Sequence, residues 1–239
     1  MRGLSSEVGE VVAQLSGEQL DRAERSRLLV RLSRLLATGA RTAGVGAAFT
    51  GRWLAGVVAE VAPHLPVRTV DELSAHHGGL LGDALADSLV TTASRATASV
   101  GAAGGTLVAL EAAAPPALVV VAPLQLAAET LAVVAIELKL VAELHVVYGR
   151  APIGTRSQVA TAYLSAWVRK RGLDLSAGPP SLASVLGVAA RRQLQARVVR
   201  RFGRNLSTLA PFLAGAVAGA ELNRRETRSL GEKVLRDLR

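Results

Sequence analysis

Cysteine is missing from all 239 residues, which removes disulfides, thiolate metal sites and a cysteine nucleophile together. Aromatic residues make up only 3% of a chain that is 50% hydrophobic, so the apolar half is small and aliphatic: 43 Ala, 37 Leu and 29 Val. Histidine occurs four times, at His64, His76, His77 and His145, and none stands in an HExxH or other ligand-spaced motif. His76 and His77 with Asp83 and Asp87 could be drawn as a metal site, but adjacent histidines point apart and a polar helix start explains the aspartates. No metal, cofactor or catalytic constellation is therefore expected. Lysine is confined to Lys139, Lys170 and Lys233, a bias that goes with the alanine, glycine and valine content of a GC-rich genome. Long uninterrupted apolar runs are also lacking. The longest charge-free stretches, 112–128, 175–190 and 205–220, fall short of the ~18 to 20 residues a spanning helix requires, and each is bracketed by charges.

What is present is an uneven charge. The chain carries +9 overall, made up of +2 over residues 1–60, −4 over 61–150 and +11 over 151–239. Between Arg95 and Glu137 only Glu111 and Glu129 are charged. A mildly acidic, very apolar middle followed by a basic final third suggests an anionic partner, either a phospholipid surface or nucleic acid, although helices also need charged solvent faces. With mean hydropathy at +0.33 and charged residues at 20%, the chain is too apolar to be disordered. Residues 1–17 have no continuous apolar stretch of the signal-peptide kind, so residence in the cytoplasm is expected.

Apolar periodicity is helical throughout, and no β-alternation runs beyond three or four residues, so the chain reads as all-α, a compact multi-helix bundle. Val8, Val11, Val12 and Leu15 predict a helix over 6–16. Leu28, Leu32, Leu35 and Leu36 predict an amphipathic one over 18–38, with Arg27, Arg31 and Arg34 on its polar side and Glu18–Arg22 and Asp21–Arg25 as exposed i,i+4 pairs. A third is expected over 43–62, ended by Pro63 and Pro66. Thr69 with Glu72, and Thr155 with Gln158, have capping-box spacing. The apolar middle predicts a hairpin of two helices, 80–113 and 124–148, interrupted by Pro115, Pro116 and Pro123 and stopped by Gly149. This hairpin could be a buried core or a shallow membrane hairpin. Gly101 to Gly105 lacks the GK[ST] ending and preceding strand of a phosphate loop, so close helix packing is the better reading. A helix over 155–171, a linker over 172–180, a helix over 182–204 and a last one over 206–238 complete the basic C-terminal part.

Two sets of residues stand out chemically. Glu111, Glu129 and Glu137 are carboxylates in an apolar hairpin, costly unless paired or wet. Glu129 and Glu137, eight apart, could form one polar seam, with Arg95 or Lys139 as structural partners. Arg197, Arg200, Arg201 and Arg204 fall on one helix face and would suit anionic headgroups. Nucleic acid is the weaker match, because no zinc finger, helix-turn-helix signature or stacking aromatic accompanies them.

The helix ending Leu140 to Tyr148-Gly149, and the later segment Ala210 to Asn223 with Gly215 and Gly219, resemble the EcsC family of bacterial proteins. The shared pattern is a glycine-rich apolar helix pair, a helix closing on Tyr-Gly, and a C-terminal Pro, Gly, Gly, Asn segment before a basic helix. The resemblance covers residues 80–239 and leaves out 1–79; Glu221 and the Pro115-Pro116 pair depart from it. It implies an EcsC-like helical domain over 80–239, preceded by the amphipathic helices that periodicity gives over 1–79, with the option that the two are continuous. The family takes its name from an operon that also encodes an ABC transporter, and has no established activity. Tyr148, Gly149, Gly215, Gly219 and Asn223 therefore carry over only as motif positions. Together these features predict a non-enzymatic helical protein, cytoplasmic and peripheral to the inner face of the cell membrane, meeting anionic lipid, a membrane protein partner or both. The alternative is a soluble helical module holding an apolar ligand or partner helix in its core beside Glu129 and Glu137; a lipid-acting enzyme comes behind both.

Overall fold

A computed structural model of the chain describes residues 2–17, 20–43, 52–112, 121–171 and 210–239. They form helices α1 (Arg2–Leu15), α2 (Arg22–Ala43), α3 (Arg52–Val61), α4 (Val70–His76), α5 (Gly82–Ala112), α6 (Val121–Val147), α7 (Arg156–Lys170) and α8 (Ala210–Leu238). A 3-10 turn, Ala62–His64, follows α3, and no strand occurs among the described residues. The all-α expectation is met.

Local signals set several helix boundaries. Thr69 and Thr155 each accept from the backbone N–H three residues on, while Glu72 and Gln158 accept from the backbone of the cap, so both capping boxes form. Another lies at the start of α2, where Glu24 N–H donates to Asp21 Oδ1 at 2.8 Å and Asp21 N–H to Glu24 Oε2 at 3.2 Å. That cap starts α2 at Arg22 rather than at the expected residue 18. Pro123 falls in the first turn of α6, where its missing N–H has no helical acceptor to lose, so it does not delay the helix as expected. At the other end of α6, Gly149 adopts φ +63°. This lets Arg150 N–H reach the His145 carbonyl at 2.8 Å and Gly149 N–H the Val146 carbonyl at 3.0 Å.

α6 is the axis of the fold. From Gln125 to Leu144 it is buried on every side, charged residues included, because α5, α2, α8, α7, α1 and α3 all pack around it. The second arm of the hairpin is thus core over these residues. Val8 of α1, Leu29 of α2 and Leu73 of α4 join Leu140 of α6 and Leu230 of α8 in one continuous hydrophobic core. On α2 the inward stripe is Arg25, Leu29, Leu32, Leu36 and Ala40, with Leu28 and Leu35 at its edge. Arg27, Arg31 and Arg34 are exposed as expected.

Arg25 is a correction. It was expected in an exposed pair with Asp21, but it is 1% exposed and donates to the Leu15 carbonyl at 2.9 Å and the Gly17 carbonyl at 3.2 Å. The guanidinium closes the C-terminal end of α1, where unpaired carbonyls gather partial negative charge. Burial lowers its pKa from the ordinary guanidinium value.

α5 and α8 run antiparallel in close contact. Val90 meets Gly231, Thr97 meets Asn223, and Gly101 meets Gly219. A methyl group on Gly101 would stand 2.8 Å from the Gly219 carbonyl oxygen, so the two backbones touch there.

Candidate functional site

Glu137 is a carboxylate of α6 that accepts from four donor atoms. It is wholly buried, and its two oxygens accept from Trp167 Nε1 at 2.9 Å, Thr227 Oγ1 at 2.9 Å, and Arg171 through Nε at 3.2 Å and through Nη2. Arg171 also faces Glu226 at 3.5 Å. Burial opposes the charge on Arg171, but the two carboxylates outweigh it and hold its pKa above the ordinary value. The partner expected for Glu137 was Arg95 or Lys139. Arg95 is exposed, and Lys139 turns instead to Glu143 at 2.6 Å, the i,i+4 pair anticipated on this helix, with Arg68 Nε 3.9 Å from the same oxygen. Four donors surround Glu137 and tie α6 to α7 and α8.

Glu129 is also buried, but it lies against α5. Its carboxylate fills the space that a side chain at Gly104 would need, and Gln125 one turn earlier donates to the Gly104 carbonyl at 3.2 Å. The two glutamates therefore stand in separate settings: Glu129 against α5, Glu137 against α7 and α8. Glu111 lies in α5, and its side chain is outside the described residues, as are Arg197, Arg200, Arg201 and Arg204 altogether.

The motif positions gather at two places. Gly219 and Asn223 meet the glycine-rich helix: Asn223 Nδ2 donates to the Thr97 carbonyl at 3.0 Å, and Thr97 Oγ1 donates to the Asn223 carbonyl at 3.3 Å. Gly215 lies in α8, one turn before Gly219. Tyr148 and Gly149 close α6 at the opposite end of the α5/α8 pair. There the Tyr148 hydroxyl donates to Asp83, and Arg239 bridges Asp83 and Asp87 at 3.2 Å each. The hydrogen bond from Tyr148, with Arg239 beside it, lowers the Asp83 pKa; burial, aided by Asp83, raises that of Tyr148. The histidines do not complete a metal site with these aspartates. His76 Nδ1 is 2.9 Å from the Glu72 carbonyl and His77 Nδ1 is 2.8 Å from Ser88 Oγ, and among the described residues no group of three or more ligand-type side chains converges.

Sequence reasoning passed over the residues that are most conspicuous on the surface. Ile153 is fully exposed, Leu81 62% and Val217 70%, with Val67 and Leu80 somewhat less open. One sequence signal could have found Ile153. It stands midway between Arg150 and Arg156, just after a helix stop, where neither helical face nor core periodicity explains an isoleucine. No family model matches the chain, and no curated protein or solved structure matches it either.

Proposed function

We propose that this is a non-enzymatic helical protein that associates peripherally with the inner face of the cytoplasmic membrane, by binding an anionic lipid surface, a membrane partner, or both. The observation that carries the reading is the set of large aliphatic side chains left exposed among the described residues. Ile153 and Leu81 are open to solvent in connections between helices while the apolar hairpin arm from Gln125 to Leu144 is fully packed. Among the described residues no helix is long and apolar enough to cross a membrane, so contact would be at the surface. The +11 charge of residues 151–239, including Arg197, Arg200, Arg201 and Arg204, supplies attraction to anionic headgroups. The resemblance to the EcsC family, whose operon also encodes a membrane transporter, favours the same setting. Among the described residues, Glu137, Glu143 and Asp83 are each engaged by neighbouring side chains.

Flotation with vesicles tests this. The full chain is expected to rise with phosphatidylcholine–phosphatidylglycerol vesicles at low salt, and to do so much less with phosphatidylcholine alone. Recovery of all the protein at the bottom of both gradients would refute the reading.

A further inference from the structure

Four of the five large aliphatic side chains exposed among the described residues belong to one end of the molecule, where two contacts to the C-terminal end of α6 and the connection that leaves it locate them. Val67 adjoins Arg68, which faces Glu143 of α6. Leu80 and Leu81 lead into α5 just before Asp83, which is bonded to Tyr148. Ile153 follows Tyr148 by five residues, on the connection that Arg150 ties to the Asp237 carbonyl at 2.9 Å. Val217 alone lies elsewhere, near the Gly101–Gly219 crossing.

The two most exposed tips share a design. Gly79 at φ +83° and Gly82 at φ +52° bracket Leu80-Leu81, and Gly149 at φ +63° and Gly154 at φ +153° bracket the connection carrying Ile153. Left-handed glycines turn the chain sharply on either side, so each aliphatic tip projects from the body. Arg150 and Arg156 each stand three residues from Ile153, both exposed and without a carboxylate partner among the described residues. The nearby acids are largely engaged: Asp83 and Asp87 by Arg239, Asp237 by Lys170.

We infer that this end, with Ile153 and Leu81 as its tips and Arg150 and Arg156 beside them, is the surface that inserts into the interface of an anionic bilayer. The inference rests on the membrane reading above and adds which face meets lipid. Convex, separate aliphatic tips suit a deformable lipid interface; a protein partner would need a matching pocket for each, and protein contacts are more commonly anchored by aromatic residues and arginine. The arginines would stay at headgroup level while the tips enter the acyl boundary.

The test compares flotation on phosphatidylcholine–phosphatidylglycerol vesicles for the full chain and for Ile153→Asp, Leu81→Asp, Arg156→Gln and, as a control, Val217→Asp. Circular dichroism monitors folding, which substitutions at exposed loop positions are expected to leave intact. Each tip variant is expected to weaken binding at least about tenfold, and Arg156→Gln about fivefold, with Val217→Asp unchanged. Because the chain lacks cysteine, Ile153→Cys and Val217→Cys each provide a single site for an environment-sensitive dye. The dye at 153 is expected to shift to the blue on vesicles and the dye at 217 to stay unchanged. If the full chain binds no vesicle, the membrane reading itself falls. If it binds but the tip variants bind equally well, or the dye responds at 217 and not at 153, this surface assignment is overturned while the membrane reading stands.

Discussion

Gly101 and Gly219 face each other across the α5/α8 crossing, yet alanine should have opposite effects at the two sites. At Gly101 an added Cβ would lie 2.7 Å from Asn223 Nδ2 and 2.8 Å from the Gly219 carbonyl oxygen. Backbone cannot swing aside, so the helices would have to part by roughly half an ångström to restore contact distance. Overpacking of this kind costs about 1–3 kcal/mol, and parting would strain the reciprocal Thr97–Asn223 hydrogen bonds, worth about 1 kcal/mol each. Against this stands a gain of about 1 kcal/mol from replacing glycine by alanine in a helix. The net expectation is a loss of about 2 kcal/mol, or a fall in Tm of about 4–8 °C for a chain of this size. At Gly219 the nearest described atom to a new Cβ is the Gly101 carbonyl oxygen at 3.7 Å, an ordinary contact. There the propensity gain acts alone, and Gly219→Ala should leave Tm unchanged or raise it. Thermal melts followed at 222 nm measure both. An equal fall for the two variants, or no fall for Gly101→Ala, would refute this account of the crossing.

The Glu137 node makes a second prediction. Glu137→Gln leaves Arg171 without its main countercharge in a largely buried position, and should cost about 3 kcal/mol. Trp167→Phe removes one of four donors and should cost about 1 kcal/mol in the same urea titration. The acid limb follows from the surface carboxylates Glu72, Asp83, Glu221 and Asp237, whose pKa values all lie below their ordinary ones, Glu221 at about 2. The chief cause is the backbone and side-chain hydrogen bonds of Thr69 for Glu72, Tyr148 for Asp83, Arg224 for Glu221 and Lys170 for Asp237. Lowered values mean that their stabilisation is complete above the ordinary carboxylate range and is lost as pH falls through the lowered values. Melts between pH 5 and pH 7 should show no effect from these groups, with loss of Tm beginning only below about pH 4. A decline already under way at pH 6 would show that other groups control acid stability.

How much of this was legible depended on how far apart in the chain the partners stand. The capping boxes at Thr69 and Thr155, the stop at Gly149 and the Lys139–Glu143 pair all join residues three to five apart, whose geometry a helix imposes whatever packs on it. The partners of Glu137 are 30, 34 and 90 residues away, and which of them reached it depended on which faces of α7 and α8 turned toward α6. Arg25 was misread for the same reason. A local pair with Asp21 was available in the spacing, but the end of α1 presented carbonyls closer to hand.

The exposed tips were overlooked because an isoleucine or a leucine in a connection carries no sign of its own exposure; aliphatic residues at such positions are usually buried beneath the loop. By itself the sequence determined that the described residues would be helical, where the capping boxes at Thr69 and Thr155 and the stop at Gly149 fall, and that no charge-free run reaches spanning length. Those properties follow from residue spacing and run length. Tertiary structure alone decided that the hairpin arm became the core, that a Cβ at Gly101 would meet the backbone of Gly219, and that Leu81 and Ile153 share one end. Each of these depends on what arrives from a distant part of the chain, and helical periodicity records only that a face is apolar, not what will cover it.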